Sequence, residues 1–438
     1  MIGFLAVLGA NLPGHLSYDS VAQLFEGRFH VRNTWGPPVY ARLLGFFDHF
    51  MPGTALYVAA SGLLFFGSLA SLPALRGRTS WLAAPAAALV LLTPQVIIYQ
   101  GIVWKDVMFA NCAIGSLVCL AQAARDWSDV RRRWLFLAGA LALLALGSDV
   151  RQNGVIAAIL ACVALGWIAA QGRWLRGATW GLCGLVAVVA AAKTLDTLSI
   201  PKGAEGAFVN TGVRIVQNYD LMGAAAFDPS YGLPLLVAAD APDAHAVLSR
   251  AKTYYSGRRV DFIDQDPVIS RALNQLPAAA VQAQWFDLIF KHPALYLRVR
   301  WEDFRWLLLD PVIDWCLPVY VGIDAPANKM EPLGLAHRYT QSDVELVNYA
   351  SWFLDTPVFS HAAYVALSLI LAGLFLWRRQ PQDIAMAALQ LAAAAFASSF
   401  FIISLACDYR YLYFTDLAAL TGLIYAAVDP PRPWRRGS

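Results

Sequence analysis

Nine long apolar segments constrain the fold of this 438-residue chain more than any other feature. Each is close to the roughly 20 residues that an α-helix needs to cross the hydrocarbon core of a bilayer. They lie at residues 54–75, 81–99, 105–124, 134–148, 154–171, 178–196, 357–377, 384–405 and 410–428. A shorter apolar run, Ile2–Leu12, precedes them. The sequence therefore predicts an all-α polytopic membrane protein with about ten transmembrane helices.

The overall composition agrees with this interpretation and excludes other classes of protein. Hydrophobic residues make up 58% of the chain and charged residues 14%, whereas soluble domains average about 45–50% and about 25%. A soluble enzyme of this size could not bury so much apolar surface behind so few charges. The net charge of +3 is too small to indicate a nucleic-acid partner.

Arginine clusters between the apolar segments predict the orientation in the membrane. All five clusters fall on one side if every segment crosses once, and the positive-inside rule makes that side cytoplasmic. The clusters are Arg76 with Arg78, then Arg125 with Arg131–Arg133, Arg173 with Arg176, Arg378 with Arg379, and Arg432 with Arg435 and Arg436. We expect a multi-pass protein of a bacterial inner (plasma) membrane, with the opposite side facing the periplasm or the exterior.

The same alternation predicts the domain organisation. Residues 1–196 form an N-terminal transmembrane module with a first outer loop at 14–53, and residues 357–438 form a C-terminal transmembrane module. Between them, 197–356 are rich in Asp, Pro, Asn and Gln, which indicates an extracytoplasmic domain of mixed, mostly helical structure. Cys316 and Cys407 both fall on the predicted outer side. The sequence does not determine whether they form a disulfide, because nothing in it fixes the distance between them.

Four polar clusters lie at the outer ends of the predicted spans. Charges at a membrane surface are costly, so their concentration there suggests a function, although a solvated loop helix and interfacial anchors are alternatives. The clusters are Tyr18-Asp19-Ser20, Trp104-Lys105-Asp106, Asp149-Val150-Arg151-Gln152-Asn153 and Asp408-Tyr409-Arg410-Tyr411. Lysine and arginine bind phosphate, and a nearby carboxylate can accept a proton from an attacking hydroxyl. Together they suit an anionic lipid substrate.

The stretch from His292 to Trp306 is amphipathic and aromatic. It predicts a helix that either lies in the membrane interface or anchors the outer domain. His292 precedes a proline, which is typical of a helix cap or a loop.

The order of these motifs resembles that of the GT-C-fold membrane glycosyltransferases, which take a sugar from a polyprenyl-phosphate carrier. An acid in the first outer loop is followed by a Pro-Pro-x-Tyr run, an acid opening the fourth span, an Arg-x-Asn sequence, a large late outer loop and an Arg-Tyr corner. These features are Asp19, Pro37-Pro38-Val39-Tyr40, Asp106, Arg151 with Asn153, and Arg410-Tyr411. The chain looks most like the branch that contains protein mannosyltransferases and aminoarabinose transferases.

The resemblance implies a GT-C-like fold and inverting sugar transfer to a lipid, glycan or protein acceptor on the outer face. Asp19 would be the general base, and Asp106 would position the acceptor or a cation. Three cations, Lys105, Arg151 and Arg410, would stabilise the lipid-phosphate leaving group. The residues expected to position the substrates are Tyr18, Tyr40, Asn153, Asp408, Tyr411 and His292. A divalent metal could bridge a carboxylate to the phosphate, but no ligand spacing requires one.

Three other functions compete with this hypothesis. A transporter or flippase of lipid-linked sugars would place charges near the bilayer midplane and show repeated halves. A ligase that uses a polyprenyl-diphosphate-linked glycan would need similar residues. A receptor or scaffold would leave the acid and arginine clusters unexplained.

Overall fold

The computed structural model describes residues 2–204, 206, 208, 210–309, 316 and 318–430. The described residues form two compact units. The first unit comprises those within 1–205, 319–397 and 412–438, and the second comprises those within 206–318 and 398–411. The predicted domain borders remain a prediction, but residues 319–356 pack with the first unit rather than with the segment that precedes them.

The first unit begins with ten helices. They are α1 (Ile2–Asn11), α2 (Tyr18–Phe29), α3 (Pro38–Phe50), α4 (Ala55–Ser71), α5 (Ala83–Leu91), α6 (Pro94–Ile97), α7 (Lys105–Arg125), α8 (Val130–Val150), α9 (Val155–Ala170) and α10 (Trp174–Ser199). The second unit then contributes six: α11 (Thr211–Phe227), α12 (Pro234–Ala239), α13 (Ala241–Tyr254), α14 (Pro267–Gln275), α15 (Ala278–Lys291) and α16 (Pro293–Leu308).

Five further helices complete the order. They are α17 (Ala327–Met330), α18 (Gln341–Ser351), α19 (His361–Arg378), α20 (Pro381–Ile403) and α21 (Tyr413–Val428). Short 3-10 helices occur at Leu72–Leu75, Tyr99–Gly101, Gln152–Gly154, Pro229–Tyr231, Val260–Gln265, Glu331–Leu333, Pro357–Phe359 and Tyr409–Leu412. Within the described ranges the β structure is limited to isolated bridges, such as that between His15 and Ile102.

Eight of these helical segments are long and apolar enough to cross a membrane, and the number reaches ten if each of two bent helix pairs is one span. This confirms the prediction of an all-helical, multi-pass membrane protein with about ten spans. Helix α7 is the central one, with 94% of its apolar stretch buried, whereas α10 has only 6% buried. The exposed apolar surface of α10 is therefore suited to face lipid.

The predicted span at 81–99 is a bent pair of helices in the structure. The chain bends by 68° between α5 and the segment Pro94–Gly101. Thr93 has an extended backbone with ψ 146° and Pro94 begins α6. A proline lacks the N–H needed inside a helix, and it pushes the preceding residue away from helical geometry. Hydropathy alone does not register such a break.

Helices α2 and α3 pack closely because glycines meet at their crossing. A Cβ atom on Gly27 would overlap the carbonyl oxygen of Ala41, and one on Gly45 would overlap the backbone of Gly27. Arg28 reinforces the pair through two hydrogen bonds, from Nε to Asp48 Oδ2 at 2.7 Å and from Nη2 to Asp48 Oδ1 at 2.5 Å. The predicted first outer loop is thus a tightly packed helical hairpin rather than an open loop.

The core of the second unit contains a buried arginine between two buried acids. Arg300, Asp220 and Asp303 are each fully inaccessible, and Arg300 Nη2 contacts carboxylate oxygens of both acids. Arg300 Nη1 donates to the backbone oxygens of Ile402 and Ser404, at 2.9 and 3.1 Å. Burial raises the pKa of Asp303 to about 8 even beside Arg300. Helix α16 is therefore a core element of this unit, which favours the structural alternative for the amphipathic stretch.

Cys316 and Cys407 form a disulfide within the second unit, with their Cα atoms 5.3 Å apart. The sequence left this pairing open, because two cysteines 91 residues apart carry no information on their distance. The bond joins the end of the segment 206–318 to the segment 398–411.

Candidate functional site

The first two polar clusters meet in the first unit, where the start of α2 packs against the start of α7. The chain around His15 pairs with the residues before α7, through His15 N–H to Gly101 O and Val103 N–H to His15 O, both 2.9 Å. Ser20 Oγ donates to Val103 O at 2.6 Å, and Trp104 Nε1 donates to Ser17 Oγ at 2.8 Å. Asp19 and Lys105 therefore lie on two helix N-termini that are hydrogen-bonded to each other.

An ion pair joins the third cluster to the second. Arg151 Nη1 contacts Asp106 Oδ1, and both side chains are buried, with 10% and 2% exposed. Arg151 is an extended residue that follows α8, and its Nε donates to Asn153 Oδ1 at 3.2 Å. Its guanidinium also lies over the ring of Phe396, 5.5 Å from the centroid. The structure thus brings Asp106, Arg151 and Asn153 together.

Asp19 and Lys105 are both partly exposed. Asp19 lies in the first turn of α2, where the helix dipole favours a negative charge. The Lys105 ammonium lies over the ring of Trp35, 5.2 Å from its centroid. Trp35 was not among the predicted site residues, although it belongs to the same outer loop. Chemically, the site offers a partly exposed carboxylate, a partly exposed ammonium and a guanidinium held by a buried acid.

Two other predicted residues of the first unit differ in accessibility. Tyr18 is 51% exposed beside Asp19, which is compatible with a contact to a substrate. Tyr40 is fully buried, and its hydroxyl lies 3.0 Å from the hydroxyl of Tyr57 in a contact between α3 and α4. We therefore leave Tyr40 out of the site proposed for this chain.

The fourth cluster belongs to the second unit. Arg410 Nη2 lies 3.3 Å from Asp408 Oδ2, and Arg259 Nη1 lies 3.0 Å from the other oxygen of the same carboxylate. The ring of Tyr411 stacks on Phe400 with centroids 5.7 Å apart. His292 is exposed just before α16, and its ring meets that of Tyr231 edge-on at 4.7 Å. The roles predicted for Arg410, Asp408, Tyr411 and His292 stay predictions.

His15 supports the site and was missed by sequence reasoning, since an isolated histidine beside an apolar run carries no signal. It is buried, with Nε2 2.9 Å from Asn11 Oδ1, and Nδ1 accepts the N–H of Gly322 at 2.9 Å. With Nδ1 an acceptor, the ring is neutral and Nε2 carries the hydrogen. Burial lowers the pKa of His15 from 6.5 to about 4, in spite of Asp343 at 3.4 Å.

We expect this histidine to make the fold sensitive to acid. Its pKa is lower in the folded than in the unfolded chain, so the stability it contributes is present above pH 6.5 and is lost as the pH falls toward 4. The loss across that window is about 3 kcal/mol. Thermal unfolding of the detergent-solubilised protein, measured at pH 7, 5.5 and 4.5, should show it. In His15→Asn, whose amide oxygen can still accept the Gly322 N–H, the pH dependence should be smaller; an unchanged slope would contradict the assignment.

The described residues contain no group of three or more His, Cys, Asp or Glu side chains that could hold a metal ion. One of the two predicted catalytic carboxylates, Asp106, contacts Arg151.

No protein-family model matches the chain. No curated protein matches it either. Among solved structures, the chain is similar to the Archaeoglobus fulgidus oligosaccharyltransferase in complex with zinc and sulfate, with 13% identity and a TM-score of 0.43, over 98% of this chain and 48% of that one. It is also similar to the archaeal oligosaccharyltransferase AglB from Archaeoglobus fulgidus in complex with an inhibitory peptide and a dolichol-phosphate, with 12% identity and a TM-score of 0.42, over 98% and 49%. The chain spans about half the length of these proteins. With so low an identity and a TM-score below 0.5, the function of this chain rests on its own residues.

Proposed function

We propose that this chain is an inverting membrane glycosyltransferase that moves a sugar from a polyprenyl-phosphate carrier to an acceptor hydroxyl on the outer face of the membrane. The observation that carries the proposal is that hydrogen bonds and an ion pair connect three helix ends. Partly exposed Asp19 lies in the first turn of α2, partly exposed Lys105 begins α7, and Arg151 follows α8 in a pair with Asp106. These contacts support a site that combines a base, Asp19, with two cations, Lys105 and Arg151.

In the proposed step, Asp19 accepts the proton of the acceptor hydroxyl. The hydroxyl oxygen forms a bond to the anomeric carbon while the bond from that carbon to the phosphate oxygen breaks. The electron pair of the broken bond stays on the lipid phosphate, so negative charge grows there. Lys105 and Arg151 stabilise that charge, which is the kind of interaction that lowers the barrier most.

Asp106 acts in this scheme as a positioning residue for Arg151. A guanidinium has several N–H donors in a fixed plane, so a carboxylate on one edge and Asn153 on Nε hold its orientation. The inference that Asp106 positions a cation is thus supported by its contact with Arg151. In this scheme the charge of Asp106 pairs with Arg151, and the transfer needs no metal ion.

The experiment that tests the function is a transfer assay on the purified full chain in lipid nanodiscs. Polyprenyl-phosphate sugars with a labelled sugar are supplied with lipid, glycan and peptide acceptors. Release of free polyprenyl phosphate together with a labelled product supports the proposal. Movement of the intact lipid-linked sugar across a vesicle membrane without its cleavage would establish the flippase instead, and turnover only of diphosphate-linked donors would establish the ligase.

We expect Lys105→Gln to lower the transfer rate by about 10²-fold, because it removes a cation that meets the leaving phosphate. Lys105→Arg keeps the charge and should retain far more activity. Both rates are measured at saturating donor. Lys329→Gln is a suitable control, because Lys329 likewise lies over an aromatic ring, that of Phe25 at 5.0 Å, and it should leave the rate unchanged. Equal rates for Lys105→Gln and the wild type would exclude this role.

A further inference from the structure

A polar cavity lies at the opposite end of α2 from Asp19. Its volume is about 210 Å³, and it is bounded by the end of α2, the start of α3 and the chain that follows α10. Four basic side chains and one acid line it: His30, Arg32, Arg42, Lys202 and Glu26. Asp19 and His30 are eleven residues apart along this helix, which corresponds to about 16 Å at 1.5 Å per residue. The cavity is therefore separate from the site at the start of α2.

The one acid in the lining, Glu26, already has hydrogen-bond partners in the turn after α2. Glu26 is 4% exposed, and its Oε1 accepts the backbone N–H groups of Asn33 and Thr34, both at 2.6 Å. The Arg32 guanidinium also interacts favourably with this carboxylate. Glu26 thus holds the turn after α2 in place and leaves little negative charge for the other cations.

The other two cations, Arg42 and Lys202, have no carboxylate partner within the described residues. Arg42 Nη1 donates to His30 Nδ1 at 2.6 Å, which fixes the guanidinium beside the imidazole. With Nδ1 an acceptor, the Nε2–H of His30 is a further donor. Arg42, His30 and Lys202 are all exposed, so their N–H groups can reach a ligand from water.

We propose that this cavity binds a phosphate group. Three donor side chains of different shape, a guanidinium, an imidazole and an ammonium, line one space. The guanidinium and the ammonium form strong charge-assisted bonds to phosphate oxygens, and the imidazole N–H is a further donor. Since each water molecule occupies about 30 Å³ in the liquid, the cavity has room for a phosphate and several waters. The phosphate could belong to a lipid headgroup of the outer leaflet or to a soluble molecule. The inference does not depend on the proposed transfer reaction.

The test compares the wild type with Arg42→Gln/Lys202→Gln in nanodiscs of zwitterionic lipid. Inorganic phosphate is titrated against chloride at constant ionic strength, and binding is measured by calorimetry and by the midpoint of thermal unfolding. Phosphate binding by the wild type that weakens at least tenfold in the double variant supports the site with a soluble source. Lys252→Gln, which removes an exposed charge outside the cavity, should bind as the wild type does, and Arg42→Lys should retain part of the affinity.

A second arm tests the lipid source. The same proteins are placed in nanodiscs that contain an anionic phospholipid, and bound lipid is counted by native mass spectrometry after detergent extraction. Retention of a lipid by the wild type and by Lys252→Gln, but not by the double variant, assigns the site to a headgroup. If the double variant matches the wild type with both inorganic phosphate and anionic lipid, the proposal is wrong. A protein that fails the sugar-transfer assay but shows either difference would still support the phosphate site.

Discussion

Replacing Asp19 by asparagine is expected to lower the rate of sugar transfer by about 10²–10⁴-fold, the usual effect of losing a general base. The amide has nearly the same shape but cannot accept the proton of the acceptor hydroxyl. Asp19 is partly exposed in the first turn of α2, so its replacement should not disturb packing. The rate is measured in the transfer assay at saturating donor and acceptor, together with the midpoint of thermal unfolding.

The matched control for this variant is Asp324→Asn. Asp324 is another acid of the first unit, with 76% of its side chain exposed and His337 as a partner at 3.0 Å. It should keep the wild-type rate. Asp19→Glu retains a carboxylate that is displaced by one methylene, and it should recover part of the activity lost in Asp19→Asn. Normal transfer by Asp19→Asn would remove the proposed mechanism, because no other residue is assigned to accept the proton.

The largest loss of stability is expected from Arg300→Met. The variant would leave Asp220 and Asp303 in the core of the second unit without the guanidinium that both acids contact. Breaking a buried ion pair by removing one partner costs about 3–5 kcal/mol. The loss should increase as the pH rises, because the folded variant must hold both carboxyl groups protonated while the unfolded chain releases those protons. Thermal unfolding at pH 6 and pH 8 measures both effects.

Two further variants separate this effect from a general loss of packing. Arg300→Met combined with Asp220→Asn and Asp303→Asn removes the unpaired acids and should regain part of the stability. Arg305→Met is the control on the same helix, because Arg305 is 40% exposed and pairs with Glu302 at 2.7 Å. Such a surface pair is worth about 0–1 kcal/mol. If Arg305→Met and Arg300→Met were equally stable, the buried cluster would have no special role.

The positions of most long apolar helices could be predicted well, because a run of about 20 apolar residues is visible in the sequence itself. The segment 105–124 is Lys105–Arg125 in the structure, and 178–196 lies within Trp174–Ser199. The break before Pro94 was not predicted, because a window of mean hydropathy averages over a change in backbone direction. The buried position of Arg300 was also missed, since an arginine in an amphipathic stretch is usually at a surface.

A buried network of amides shows why polar contacts inside the first unit escaped prediction. Gln100 Nε2 donates to Asn111 Oδ1 at 3.0 Å and to Tyr413 Oη at 2.9 Å, and Asn111 Nδ2 donates to Ser61 Oγ at 3.0 Å. Gln100 and Tyr413 are 313 residues apart. Each residue alone is an ordinary polar interruption of an apolar run, and its partner depends on how the helices pack.

The residues of the candidate site were also only partly predictable from the sequence. The residue types were informative, because acids and cations at the outer ends of spans are few. The contacts between these residues could not be predicted from the sequence, since Asp106 could have faced a substrate, a metal or another side chain. Only the packing of α7 against α8 shows that its partner is Arg151.

The Cys316–Cys407 disulfide indicates the redox environment of the second unit. Such a bond persists in an oxidising environment and is rare where glutathione and thioredoxin keep thiols reduced. The four remaining cysteines, Cys112, Cys119, Cys162 and Cys183, are free thiols on the apolar helices. The oxidation state of Cys316 and Cys407 in intact cells would therefore show which side of the membrane the second unit occupies. This measurement does not depend on the positive-inside rule.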